Sequence, residues 1–124
     1  MIKQPVRSKE RFLTFGSPCI GEEEINEVVD TLRSGWVGTG PRVAKFEKLF
    51  GSYIKAPYSV AVNSCTAALH LSLLALKLDP GSEVITSPMT FCATVNAIIH
   101  AGLTPVLADI DPVTMNIDPS EIER

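Results

Sequence analysis

The alternation of apolar runs between Tyr58 and Asp109 constrains this chain more than any other feature. Tyr58-Ser59-Val60-Ala61-Val62 reads as a short buried strand. Residues 65–78 follow, apolar almost all round, which marks a helix packed on more than one side. Asp79-Pro80-Gly81 ends it. Glu83-Val84-Ile85-Thr86 reads as a second strand and Ser87-Pro88-Met89-Thr90 as a turn. Residues 91–100 form a further core helix closed by Gly102, and residues 105–109 a third strand. Strand, helix, strand, helix, strand with short connections predicts right-handed βαβ units. The fold class is therefore α/β with a mostly parallel sheet.

Upstream, residues 1–20 read as an extended segment punctuated by Pro5, Gly16 and Pro18. Residues 21–124 read as one domain portion. A helix starts near Glu22, where Glu22, Glu23 and Glu24 complement the positive end of the helix dipole. Ile25, Val28, Val29 and Leu32 make one apolar stripe, and Gly35 supplies the terminating glycine. A glycine-rich loop carrying Trp36 leads to Pro41, which suits the first turn of a second helix. Val43, Phe46, Phe50 and Tyr53 give that helix its apolar face. At the far end, Asp118-Pro119-Ser120-Glu121 is a helix-start signal only six residues before Arg124. So short a helix is marginal alone, and three strands are few for a parallel sheet covered on both faces. The expectation is an N-terminal piece of a longer protein.

Composition narrows the function classes. The 124 residues carry a net charge of -3, so no basic field exists for nucleic acid. No apolar run approaches the ~20 residues that span a bilayer, and no apolar segment follows the basic N-terminus as a secretory signal requires. The three cysteines, Cys19, Cys65 and Cys92, lack CxxC spacing, which points away from a disulfide framework or zinc site and toward a cytoplasmic protein. His70 and His100 sit singly in apolar surroundings and read as structural.

The junction Val62-Asn63-Ser64-Cys65-Thr66 is the most informative site. At a strand-to-helix junction the first helical amides have no intrahelical acceptor and the dipole adds positive charge. Those amides, with the hydroxyls of Ser64 and Thr66, can hold a phosphate. The alternative is that Ser64 or Thr66 simply caps the helix. The next junction presents Phe91, either a stacking surface for a planar ring or a core residue. Trp36 is either a packing anchor or a surface for a ligand or a neighbouring subunit. Cys65 at a helix N-terminus could be a nucleophile, but His70, five residues on, points to another face. Asp109 and Asp111 could pair as acids or be solvated.

Taken together, these segments resemble the N-terminal third of the DegT/DnrJ/EryC1/StrS family of pyridoxal 5'-phosphate (PLP)-dependent sugar aminotransferases. The resemblance runs from about Phe15 to the end. It includes Pro18-Cys19-Ile20-Gly21, Ser34-Gly35-Trp36 through Gly40-Pro41, and Val60-Ala61-Val62-Asn63-Ser64-Cys65-Thr66-Ala67-Ala68-Leu69-His70. It continues through Pro80-Gly81-Ser82-Glu83, Ser87-Pro88-Met89-Thr90-Phe91 and Asp109-Ile110-Asp111. It implies an aspartate-aminotransferase-like (PLP fold type I) large domain, a homodimer, and amino transfer from glutamate to a nucleotide-linked keto sugar. It implies that Ser64, Cys65 and Thr66 hold the PLP phosphate, that Phe91 stacks on the pyridine ring, and that the loop around Trp36 lies near the sugar nucleotide. Cys65 stands where glycine is frequent, and Ser82 where aspartate often follows Pro-Gly. None of Lys3, Lys9, Lys45, Lys48, Lys55 and Lys77 matches the family's Schiff-base lysine, so these residues alone are expected to be inactive.

Two other classes stay open on the residues: a non-catalytic module that binds phosphate or a partner, and a cysteine-dependent acyl transferase using Cys65. Apolar surface on residues 65–78 and 91–102 predicts self-association.

Overall fold

The computed structural model describes residues 16–123. Most of the extended segment expected at residues 1–20 lies outside them; residues 16–20 are exposed and carry no helix or strand. The chain forms two compact units that divide between Ser59 and Val60, and each is described by itself.

The first unit holds α1 (Glu22–Arg33) and α2 (Pro41–Ile54). Glu24 reaches back so that its Oε2 accepts from the Gly21 amide at 2.7 Å, which satisfies one of the unpaired donors at the helix start. That bond holds the Glu24 carboxyl below its ordinary pKa. α1 ends at Ser34, after which Gly35 turns left-handed at φ +71°. α2 opens on Pro41 as expected. Glu27 of α1 pairs with Arg42 and with Lys45 of α2, and Phe46 stacks on Phe50 with centroids 5.8 Å apart. Of the residues read as its apolar face, Phe46, Phe50 and Tyr53 are all exposed and Val43 is half-buried. After α2 the chain folds back, and the Ser59 hydroxyl donates to the Glu47 carbonyl. This return passes over Gly51, which is buried.

The second unit contains α3 (Cys65–Ala75), β1 (Glu83–Thr86), α4 (Cys92–His100), β2 (Thr104–Leu107) and α5 (Pro119–Ile122). β1 and β2 pair in parallel, Glu83 opposite Thr104 through Thr86 opposite Leu107, with α4 as the crossover. The core sits where α4 meets these strands: Ala97, Ile98, Leu103 and Ala108 are buried. α4 closes with a Schellman turn. Gly102 (φ +76°) donates to the Ile99 carbonyl and Leu103 to the Ile98 carbonyl, and the flanking Ile98 and Leu103 are both buried, the apolar contact such turns favour.

Three expectations are corrected. Residues 58–62 form no strand. Tyr58 is 88% and Val60 79% exposed; a strand is stabilised by a ladder partner and a covered face, and no described strand pairs with this segment. The sheet therefore has two strands among the described residues rather than three. α3 is not a buried helix: it packs on α4, none of its residues is buried, and Leu71 and Leu74 are exposed. It also stops at Ala75, before Asp79-Pro80-Gly81, because Lys77 turns left-handed (φ +51°). No helix among the described residues is long and apolar enough to cross a membrane.

Candidate active site

The site expected from sequence begins at the opening of α3. Ser64 is its N-cap, with extended backbone (φ -160°, ψ 157°). Its Oγ accepts from the Ala67 amide at 3.1 Å, and its carbonyl accepts from Ala68 at 3.1 Å. The capping alternative is thus realised, but it uses only the third and fourth amides. The amides of Cys65 and Thr66, at the first two helical positions, have no intrahelical acceptor. The Ser64 hydroxyl proton faces only a long 3.5 Å contact to Asn63 Oδ1. Ser64, Cys65 and Thr66 are all exposed. Two amides without an intrahelical acceptor, the hydroxyl-bearing residues Ser64 and Thr66 and the positive end of an 11-residue helix therefore lie together in sequence at an exposed helix start, a donor set suited to a dianion.

Phe91 caps α4, which packs on α3. It is 78% exposed, so it is not the core residue that its apolar character allowed. Extended backbone at φ -69°, ψ 142° places it ahead of the first helical turn. The hydroxyls of Thr90 and Thr94 meet at 2.8 Å across that turn, and Ser87 Oγ accepts from the Met89 amide at 3.1 Å. The strand-to-helix loop is thereby stiffened around the ring.

The remaining candidates divide. Asp111 accepts from the amides of Val113 (2.8 Å) and Thr114 (2.7 Å), bonds that hold its carboxyl below the usual carboxylate range. Asp109 accepts from Ile110 at 2.7 Å. Both acids organise turns and do not pair. Cys65 is a free, exposed thiol. His70 faces His100, with ring centroids 6.3 Å apart at 60°. Spacing along the sequence does not reveal that pairing, because it joins two helices. No group of three or more His, Cys, Asp or Glu side chains among the described residues could hold a metal ion.

Trp36, in the first unit, turns out to be anchored at its edge. Its indole Nε1 donates to the Thr39 carbonyl at 2.9 Å, and the ring lies against Gly40, where a Cβ would sit 2.0 Å from Nε1. Sequence reasoning identified the tryptophan and the glycines separately; the fit between them is a through-space fact.

This α/β architecture with a small parallel sheet is that of part of a PLP fold-type I aminotransferase. The model of the DegT/DnrJ/EryC1/StrS aminotransferase family matches residues 18–124, and the chain belongs to that family. It is 56% identical over 118 residues to the spore coat polysaccharide biosynthesis protein SpsC of Bacillus subtilis, covering 95% of this chain and 30% of the relative. Among solved structures it resembles Streptococcus pneumoniae Spr1654, described as a sugar aminotransferase and solved in its PLP form. That match has a TM-score of 0.83 and 46% identity over 90% of this chain and 28% of the other. It also resembles the Escherichia coli GDP-4-keto-6-deoxy-D-mannose-3-dehydratase with bound hydrated PLP, with a TM-score of 0.78 and 28% identity over 82% of this chain and 28% of the other. The chain thus spans about three tenths of the length of these relatives.

Proposed function

We propose that this chain supplies the phosphate-holding and ring-facing part of a PLP site in an aminotransferase that moves an amino group from glutamate to a nucleotide-linked keto sugar. The observation that carries the reading is the opening of α3: its cap leaves the Cys65 and Thr66 amides free beside the Ser64 and Thr66 hydroxyls. That donor set fits the cofactor's phosphate, and exposed Phe91 fits a wall for its ring. The keto-sugar substrate is supported by the dehydratase, whose name carries a GDP-linked keto sugar. A place in polysaccharide synthesis is supported by SpsC. Amino transfer is favoured over dehydration because identity is 46% to Spr1654 and 28% to the dehydratase.

When bound, PLP supplies an electron sink for carbanion chemistry. The chain's own residues bind and orient. Amides of Cys65 and Thr66 and the two hydroxyls hold the phosphate end, and Phe91 fixes the tilt of the ring. Cys65 adds only a small side chain at the mouth of the cradle. No lysine here matches the family's cofactor-linking motif, so proton movement at the substrate carbon is assigned to groups other than these. The free, exposed thiols of Cys19, Cys65 and Cys92 fit a reducing cytoplasm. Exposed apolar residues such as Leu71, Leu74, Ile99 and Leu107 fit a dimer or other self-association, which light scattering at tens of micromolar would register as more than a monomer.

The test compares PLP with pyridoxal by equilibrium dialysis. The phosphate should improve binding about tenfold or more, and Thr66→Val should remove most of that gain while far-UV circular dichroism stays unchanged. Equal binding of the two compounds, or an unaffected Thr66→Val, would refute the cradle.

A further inference from the structure

The chain holds two histidines, and the packing of α3 on α4 brings them together. His70 sits in the middle of α3, half-buried, and His100 is the last helical residue of α4, exposed. Their ring centroids lie 6.3 Å apart with the planes at 60°. Neither ring makes a hydrogen bond or an ion pair with any described residue. An edge-to-face pair placed for packing alone is served by phenylalanine, which has no polar atoms to solvate. Two imidazoles instead bring ring nitrogens that no described residue uses.

A neutral imidazole is the commonest protein ligand for metal ions and suits borderline divalent ones. With the nitrogen about 2.0–2.1 Å from the ion, the ion stands ~3.2 Å from the ring centre. Two rings on one ion then have centres ~5.2 Å apart at the tetrahedral angle and at most ~6.4 Å apart. The observed 6.3 Å lies inside that bound, and the tetrahedral spacing needs an approach of only ~1 Å. His100, exposed at a helix end, supplies it by side-chain rotation. The geometry points to a two-imidazole site for a borderline divalent ion, Zn(II) or Ni(II), that clamps α3 to α4. No third His, Cys, Asp or Glu completes a ligand group among the described residues, so water takes the remaining positions and the site is an open clamp. The clamp acts where α3 needs it. None of the residues of α3 is buried, and its packing runs chiefly along α4. An ion held across that seam favours the packed state by mass action. The site uses none of the residues assigned to the phosphate cradle or the ring wall.

The experiment uses the untagged chain with the exposed thiols of Cys19, Cys65 and Cys92 carbamidomethylated, so that sulfur does not compete as a ligand. Calorimetric titration with Zn(II) and with Ni(II) should show saturable binding of one ion per chain. Mg(II), which prefers oxygen ligands, should show none. On adding Zn(II) the imidazole proton resonances of both histidines should change together, and the chemical denaturation midpoint should rise. His100→Phe keeps a ring against His70; it should weaken Zn(II) binding about tenfold or more and abolish the rise in midpoint, with circular dichroism unchanged. His70→Phe should do the same. The clamp is overturned by the absence of saturable Zn(II) binding to the parent chain, by a change confined to one histidine, or by one ion bound per two chains. Undiminished Zn(II) affinity in either phenylalanine variant that folds also overturns it. Should both variants fail to fold, the stoichiometry and the two sets of resonances of the parent chain decide.

Discussion

Substituting Gly40 with alanine tests the packing of the loop over residues 34–40. The backbone at Gly40 is extended (φ 179°), so alanine meets no conformational barrier and the effect is steric. The new Cβ would stand 2.0 Å from Trp36 Nε1, 2.6 Å from Cε2 and 2.7 Å from Cδ1. Comfortable separations are ~3.5–4.0 Å, so the indole must retreat by roughly 1.5 Å. That shift breaks the 2.9 Å bond from Nε1 to the Thr39 carbonyl, a net loss of ~1 kcal/mol. Alanine is also a poorer N-cap than glycine, costing α2 a further ~0.5 kcal/mol. The stiffer unfolded chain returns ~0.4–1 kcal/mol. Net destabilisation is therefore only about 0.5–1 kcal/mol, while the indole environment changes completely. The sole tryptophan reports this directly: its emission should shift to the red, acrylamide should quench it more readily, and its near-ultraviolet circular dichroism should fade. Gly38→Ala is the control, because a Cβ there meets nothing within 4 Å. If Gly40→Ala and Gly38→Ala leave Trp36 emission and quenching equally unchanged, the argued fit between ring and glycine is wrong.

Other predictions follow from local geometry. Gly102→Ala, at φ +76°, should lower stability by ~1–2 kcal/mol in chemical denaturation. Lys77→Gly, at φ +51° with the same left-handed backbone, should raise it by up to ~1 kcal/mol; opposite signs at the two positions check the conformational argument. Glu24 and Asp111 both have carboxyl pKa values held below their ordinary values, by backbone amides of Gly21 and of Thr114 and Val113 respectively. A depressed folded-state pKa contributes stability that is present above the unfolded value and lost as pH falls through the folded one. The α1 start and the turn at residues 111–114 should therefore loosen only at acid pH, below the ordinary carboxylate range. Carboxyl carbon shifts followed by NMR should show both groups titrating below a Glu or Asp in the unfolded chain. Titration at the unfolded value would remove the role given to those amides. Ser64→Ala should cost α3 ~1 kcal/mol through the lost cap, read as a lower denaturation midpoint.

Much of the local structure is written within a few residues of each boundary. The acidic run at Glu22 and the proline at Pro41 start α1 and α2 where the helices begin. Asp118 caps α5 by accepting from the Ser120 amide at 2.8 Å. Gly102 closes α4 because it alone at that point enters the left-handed region without a Cβ penalty. The Ser64 cap of α3 was legible for the same reason: unpaired amides are a property of any helix start, and a hydroxyl at its N-cap is a common way to satisfy one of them.

Local sequence was enough for the starts of α1, α2 and α5, the Ser64 cap of α3, and the parallel pairing of β1 and β2 around α4. The helix starts and the cap depend on dihedral preferences and hydrogen bonds that close within one or two turns, and the parallel pairing on a short helical crossover. Contacts across the fold decided that residues 58–62 form no strand, that His70 meets His100, and that Trp36 seats its edge on Gly40 while staying exposed. Each of those is a contact or a missing contact between residues whose side chains carry no record of their partner, so the pattern along the chain could name the pieces but not what they touch.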